Sequence, residues 1–262
     1  MLSEELIDAH EKALTVPPFA QRHPELTAAT GYIAARALHD YRLKKGWKAI
    51  GRKIGFTNRT LWERYGVHEP MWGTVYDRTL IQAADDRATV PLDGLVQPRI
   101  EPEIAFKLRT APTSSDPEAL LACIEWMAHS VEIVQCHHPN WKFTIADCTT
   151  DNGLHGRLVV GTPVAVSHVT GLGDRLPLAE ARLYKGGRLV DTGCGANVLG
   201  SPLLALAHVV DLLKRQPGAP RLAAGEIVST GVLTDAHPVA AGDEWHTEIR
   251  GLPLAGLKIS FR

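Results

Sequence analysis

The 262-residue sequence has no apolar run long enough to cross a bilayer, which sets aside a membrane-spanning protein. It has no Cys-x-x-Cys pair; Cys123, Cys136, Cys148 and Cys194 are scattered, so a zinc ribbon or redox motif is not expected and the thiols read as reduced. No basic block stands in a chain with 28 Lys and Arg against 29 Asp and Glu, which leaves no electrostatic footprint for nucleic acid. The N-terminus, Met-Leu-Ser-Glu-Glu-Leu, is acidic where a secretory leader is basic. Gly193-Cys-Gly-Ala-Asn-Val lacks the third glycine of a dinucleotide fingerprint. The expectation is a cytoplasmic protein with a small, metal-binding anionic ligand.

Two helices open the chain. Ser3 is placed to cap one that runs through about Thr15, before Pro17 and Pro18 stop it. A second is expected over Thr27 to Lys45, with Ile33, Ala34, Ala37, Leu38 and Tyr41 as its apolar stripe and Gly46 closing it. From Trp47 the texture turns to short β-type runs punctuated by glycine. A strand is expected over Thr74 to Ile81, interrupted by Asp77 as turn former or cavity-facing group. Asp116-Pro-Glu opens a helix carrying Leu120, Leu121, Ile124 and Ala128, followed by a strand over Ser130 to Cys136. Trp141 to Gly156 reads as a polar loop, and Ser201-Pro202 starts a helix with Leu203, Leu206, Ala207, Val210 and Leu213 on its core side.

The chemistry concentrates in Gln97-Pro-Arg-Ile-Glu-Pro-Glu-Ile-Ala-Phe. A strand of period two puts Glu101 and Glu103 on one face and Ile100, Pro102, Ile104 and Phe106 on the other. Two carboxylates that close repel unless a proton or cation sits between them, and hard oxygen ligands select Mg²⁺, Mn²⁺ or Ca²⁺. The competing reading is a solvated strand face with Arg99 as ion-pair partner. Glu132, on its own strand, is a candidate third ligand. Lys53 follows Arg52 in a short strand; it is either a surface lysine or a buried one whose desolvation lowers its pKa toward proton transfer. Cys136-His137-His138 is a poor zinc site, because neighbouring residues of a strand point oppositely. Ser229 to Thr234 offers amides and hydroxyls able to hold a carboxylate.

Lys53, Glu101-Pro-Glu103, Glu132, Gly193-Cys-Gly, Leu199-Gly-Ser-Pro and Ser229-Thr-Gly-Val-Leu-Thr234 come in an order that resembles the 2-keto-4-pentenoate hydratase and 2-oxo-acid (4-oxalocrotonate) decarboxylase family, within the fumarylacetoacetate hydrolase-like superfamily. The resemblance spans about Ala34 to Phe261. It implies an α+β protein: a mixed β-sheet roll or barrel over residues 47–262 as the catalytic domain, behind an N-terminal helical segment over 1–46. It implies Mg²⁺ or Mn²⁺ on Glu101, Glu103 and Glu132, with Lys53 as acid/base group and Asp77 near the entrance. Lys142, Ser229 and Thr234 are the candidates to bind substrate. Two stretches depart from the family pattern: Val134-Gln-Cys-His-His where a Val-Asp-Ser-Arg type is common, and Thr150-Asp-Asn-Gly-Leu-His where Ala-Asp-Asn-Ala is common.

The implied reaction is a lyase reaction of aromatic catabolism, adding water to a 2-hydroxydienoate or 2-oxoenoate through an enolate. Three alternatives stand beside it. One is decarboxylation of a 2-oxo-enedioate. Another is acylpyruvate C–C hydrolysis, which needs a His–Glu pair for which His10, His68 and His137 are candidates. The last is a non-catalytic partner subunit using Trp62, Trp72 or Trp141. A homo-oligomer is expected, with association to a hydratase or decarboxylase paralogue possible.

Overall fold

The computed structural model describes residues 2–262. In chain order it runs α1 (Leu2–Lys12), α2 (Phe19–Arg22), α3 (Ala28–Lys44), β1 (Ala49–Gly55), α4 (Trp62–Tyr65), β2 (Met71–Tyr76), β3 (Leu80–Gln82), β4 (Arg87–Val90), β5 (Arg99–Leu108), α5 (Pro117–Cys123) and β6 (Ile124–Val134). It continues with α6 (Ile145–Thr150), β7 (His155–Val160), β8 (Val164–Ala165), α7 (Leu172–Arg175), β9 (Glu180–Lys185), β10 (Arg188–Cys194), α8 (Pro202–Arg215), β11 (Ile227–Ser229), β12 (His237–Pro238), β13 (Glu244–Arg250) and β14 (Lys258–Phe261). No helix is long and apolar enough to cross a membrane among the described residues.

Two sheets carry the fold. The larger follows the order β2-β1-β11-β5-β6-β7-β3, with β12 added on β5 and β8 on β6; the smaller is β10-β9-β13-β14-β4. Strands β1 and β11, β3 and β7, and β4 and β14 pair in parallel, so both sheets are mixed. Ile100, Val131, Ile133 and Val159 of the larger sheet share a core with Leu183, Trp245, Ile259 and Phe261 of the smaller. Helix α8 buries Leu203, Leu206, Val209, Val210 and Leu213 in another, with Ile104, Phe106, Met127 and Val228. Ser201 caps it by accepting from the Leu203 amide, with Pro202 in the first turn, where a missing N–H costs nothing.

The N-terminal helices have a small core of their own, Leu6, Ala9, Val16, Phe19 and Leu38. Helix α1 stops at Lys12, three residues short of the expectation, because Ala13 takes a left-handed φ of 51° that an α-helix cannot continue through. Helix α3 matches its expected span, with Thr27 and Thr30 bonding each other's backbone amides. Its buried face differs: Gly31, Leu38 and Arg42 are covered and Ile33 is 73% exposed. The reason is α6, which lies so close that a Cβ on Gly31 would come within 2.8 Å of the Ala146 carbonyl.

Polar groups complete that junction. Asp151, at the end of α6, receives His10 Nε2 at 2.7 Å and His137 Nδ1 at 2.9 Å, and Arg42 Nη2 lies 3.0 Å from His10 Nδ1. A carboxylate shared by two imidazoles satisfies buried polar atoms from α1, α6 and the segment after β6.

Three further expectations are corrected. Helix α5 ends at Cys123, so Ile124 and Ala128 are strand residues; β6 starts six residues early because it pairs with β5 along nearly its whole length. The strand expected over 74–81 is two, β2 and β3, divided by a turn at Asp77–Thr79. The expected loop 141–156 contains α6, which Thr144 and Asp147 cap reciprocally.

Burial holds the His10 imidazole down to about 3 and that of His129 to about 4. Both are therefore neutral when folded and take up a proton on unfolding below about pH 6.5. Each histidine thus contributes a loss of stability as pH drops from 6.5 toward 4, of up to about 1.4 kcal/mol per pH unit. Asp151, held well below the carboxylate range by His137 and His10 against the opposing effect of burial, adds a loss of the same sign as pH falls below 3.8. Glu101 and Glu103 act with the opposite sign over this range, so the check is urea unfolding of the chain and of His129→Asn at pH 7.5 and pH 5.0. The destabilisation caused by the substitution should be smaller at pH 5.0, and an equal one at both would contradict a buried neutral His129.

Candidate active site

Four adjacent strands turn one face toward a common point. Across β5 and β6, Glu101 stands opposite Glu132 and Glu103 opposite Ser130. Ser229 of β11 lies beside Ala105 of β5, and Lys53 of β1 beside Ser229. Period two along each strand then gathers Lys53, Ser229 and three glutamates from positions as far as 176 apart in sequence. Ile104 and Phe106 pack on the opposite side.

Glu103 and Glu132 are fully buried, and each has one oxygen secured and one bare. Glu103 Oε2 accepts from the Ser229 hydroxyl and, at 3.0 Å, from the Gly231 amide, while Oε1 has no hydrogen-bond partner. Glu132 Oε1 accepts from His155 Nδ1 at 2.7 Å. Its Oε2 makes no hydrogen bond of good geometry and faces Lys53 Nζ at 3.1 Å. Lys53 donates instead to the Gly153 carbonyl at 2.9 Å. That carbonyl is brought in by Gly73 of β2, where a Cβ would lie 2.2 Å from the Asn152 oxygen.

The electrostatics of this group are strained without a counter-charge. Burial, with Glu132 and Glu101 nearby, drives the Glu103 carboxyl well above the carboxylate range, and burial lifts Glu101 to about 7. Glu132 goes the other way: burial raises it, but Lys53 and His155 outweigh that and hold it ionised. For Lys53 the expected lowering is corrected. Burial pulls its pKa down, but Glu132, Glu101 and Glu103 together hold the ammonium above its ordinary value.

Carboxylate oxygens of Glu101, Glu103 and Glu132 lie within 4.8 Å of one another. Two bare buried oxygens and a third carboxylate in that space fit a divalent cation, and an all-oxygen set suits Mg²⁺, Mn²⁺ or Ca²⁺. Lys53 and Glu101 open on a cavity of about 50 Å³ whose wall includes Phe56, Tyr65, Trp141 and Phe143, with Tyr65 and Phe143 stacked. Larger hollows of about 770 and 400 Å³ include none of the three glutamates.

Other expected residues fall elsewhere. Asp77 is exposed and accepts from the Lys48 and Arg78 amides, so it is a turn former and not an entrance group. Lys142 is exposed, between the cavity residues Trp141 and Phe143. Thr234 donates to the Asp235 carbonyl, and Ser229 serves Glu103; neither lines the cavity. His10 and His137 meet at Asp151, and His68 is exposed. His138 Nδ1 turns to the Val16 carbonyl, so Cys136-His137-His138 does not converge. Trp62, Trp72 and Trp141 are half-buried, each with its indole N–H donated within the chain.

No protein-family model matches the chain. A 2-hydroxyhexa-2,4-dienoate hydratase of Comamonas testosteroni is 33% identical over 98% of this chain and 96% of its own. The chain belongs to the hydratase and decarboxylase family. It is an enzyme of the lyase class. Another member, a 4-oxalocrotonate decarboxylase of Pseudomonas sp. strain CF600, is 28% identical over 96% of this chain and 92% of its own. A solved 4-oxalocrotonate decarboxylase from Pseudomonas putida G7, complexed with magnesium and adipate, superposes with a TM-score of 0.89 at 26% identity, covering 100% of this chain and 96% of that one. The fold is therefore the fumarylacetoacetate hydrolase type expected, a mixed-β core with helices.

The residue that sequence reasoning missed is His155. Its Nε2 lies 2.8 Å from Thr79 Oγ1, and the Thr79 hydroxyl also bonds the Tyr76 backbone, so the ring is fixed at both nitrogens. It stands at the first position of β7, paired with Val134, and only that pairing brings it to Glu132. By holding Oε1, it leaves Oε2 of Glu132 directed at the cation space. His155→Ala should weaken Mn²⁺ binding by roughly tenfold, with His155→Asn recovering part of it through its amide N–H. Calorimetric titration reads both; unchanged affinity in the alanine variant would contradict the role.

Proposed function

We propose that this lyase is a divalent-metal-dependent hydratase of the 2-keto-4-pentenoate type, adding water to a short 2-hydroxydienoate or its 2-oxoenoate tautomer. The observation that carries this reading is the pair of buried carboxylates with bare oxygens facing a buried lysine. Glu101, Glu103 and Glu132 would hold Mg²⁺ or Mn²⁺, which would supply Lewis acidity toward a bound 2-oxo acid. The magnesium of the Pseudomonas putida decarboxylase supports that choice.

Lys53 carries the proton transfers. Held by the Gly153 carbonyl and facing Glu132, its ammonium stands beside the cavity with a proton to give. It delivers that proton to the terminal carbon of the dienol and regains one from the enol oxygen, which leaves the conjugated ketone. Water then adds at the conjugated carbon to give a 4-hydroxy-2-oxo acid, with Lys53 protonating the adjacent carbon and taking up the proton that the attacking water releases.

The cavity wall favours hydration over decarboxylation of a 2-oxo-enedioate. A diacid needs a cation for its second carboxylate, yet Lys53 is the one basic residue that lines this cavity among the described residues, and Asp235 stands near Glu101. The far wall is aromatic and apolar, which suits a monocarboxylate with a hydrocarbon tail. Acylpyruvate hydrolysis is also less favoured. The His–Glu side-chain pair of the site, His155 with Glu132, has its other imidazole nitrogen against Thr79, away from the cavity.

Mass analysis of products from 2-hydroxypenta-2,4-dienoate and 4-oxalocrotonate tests the reading. Gain of water from the monoacid, abolished by chelator, is expected; loss of carbon dioxide from the diacid would move the chain to the decarboxylases. Lys53→Ala should lower kcat at least ~100-fold while retaining Mn²⁺ binding. Normal turnover in that variant would remove Lys53 from the proton path.

A further inference from the structure

Strand β1 alternates, so the residue before Lys53 faces away from the carboxylates. Arg52 lines a separate cavity of about 400 Å³, enclosed by α3, β1, β2, Thr149, Asn152 and the segment 216–220 that follows α8. Tyr32 and Trp72 stack there with ring centroids 5.0 Å apart, and the Arg52 guanidinium lies 5.2 Å from the Trp72 ring. Trp72 Nε1 donates to Gln216 Oε1 at 2.8 Å, which ties the segment after α8 across the cavity.

The lining is one-sided in charge. Arg36, His39 and Arg52 contribute, and no acidic side chain does among the described residues. Arg36 and Arg52 have acid partners, Asp40 and Glu226, but neither acid lines the cavity. Arg52 Nε is buried without a hydrogen-bond partner, so the guanidinium keeps donor capacity that the Gly51 carbonyl and Glu226 do not take up.

We infer that this cavity is a second binding site, taking a small aromatic monocarboxylate whose ring lies along Tyr32 and Trp72 and whose carboxylate faces Arg52 and Arg36. Aromatic faces prefer aromatic partners, and an arginine fork matches a carboxylate. The site is wired to the catalytic one. Asn152 lines the cavity and bonds both the amide and the carbonyl of Thr74, at 2.8 and 3.0 Å, and the next carbonyl, that of Gly153, is the acceptor for Lys53. A ligand there acts on the position of Lys53 without competing for its cavity, so it changes kcat and leaves KM nearly constant.

Binding at this cavity does not depend on which reaction the carboxylate site performs. Equilibrium dialysis of the full chain with benzoate as probe, and benzyl alcohol as uncharged control, reads it directly. One saturable site for benzoate is expected, at least tenfold weaker in Arg36→Glu, absent in Ala35→Trp and retained in Lys53→Ala, with circular dichroism confirming that each variant is folded. The assignment is overturned by lack of saturation, by equal uptake of benzyl alcohol, by retained binding in Ala35→Trp, or by loss of binding in Lys53→Ala, which would place the probe in the carboxylate site. It is equally overturned if light scattering shows Arg36→Glu dissociating an oligomer while benzoate fails to bind, since the face is then covered by a second copy of the chain.

Discussion

Three carboxylates and one ammonium share one face of a β-sheet, and Lys53 and Glu101 open on a narrow cavity. Charges in such a place repel or attract far more strongly than at a surface, and burying any one of them without a partner costs several kcal/mol. Lys53 offsets one carboxylate. His155 holds the other oxygen of that carboxylate, Glu132; Ser229 and Gly231 together satisfy one oxygen of Glu103, and the oxygens left over are aimed at a single space. Remaining charge of one sign in a fixed pocket is the condition that a divalent cation relieves, and the proposed hydration would follow from placing that cation beside Lys53.

The rest of the fold can be understood as what keeps those groups in register. Antiparallel pairing sets Glu101 against Glu132; the β1–β11–β5 order brings Lys53 within reach of both. The Asn152–Gly153 backbone is pressed on β2 at Gly73, and Asp151 just before it is anchored by His10 and His137. The N-terminal helices therefore serve the site at a distance: α1 supplies His10, and α3 packs against α6, whose end delivers Asp151, Asn152 and Gly153. Loosening the junction at Asp151 would move the carbonyl that Lys53 leans on.

Some of this was legible in the sequence, and the division has a physical basis. Local signals read well: the span of the helix that starts at Thr27, Ser201-Pro202 at a helix start, and Glu-x-Glu on one strand face. The family pattern located Lys53 and Glu132. What failed depends on partners distant in the chain. Ile124 and Ala128 fit a helical stripe until β5 claims them as strand, and Ile33 fits an apolar face until α6 covers the other side of α3. Asp77 read equally as turn former or cavity-facing group, and the distant Lys48 amide that it accepts from decides for the turn, while His155 looked like nothing because its meaning lies in the β6–β7 pairing.

The central claim is that Glu101, Glu103 and Glu132 form the cation site. Crystals soaked in Mn²⁺ and measured near the manganese absorption edge would test it most directly. One dominant anomalous peak is expected within coordination distance of Glu103 Oε1, Glu132 Oε2 and a Glu101 oxygen. No peak there, or a dominant one at His10, His137 and Asp151, would contradict it.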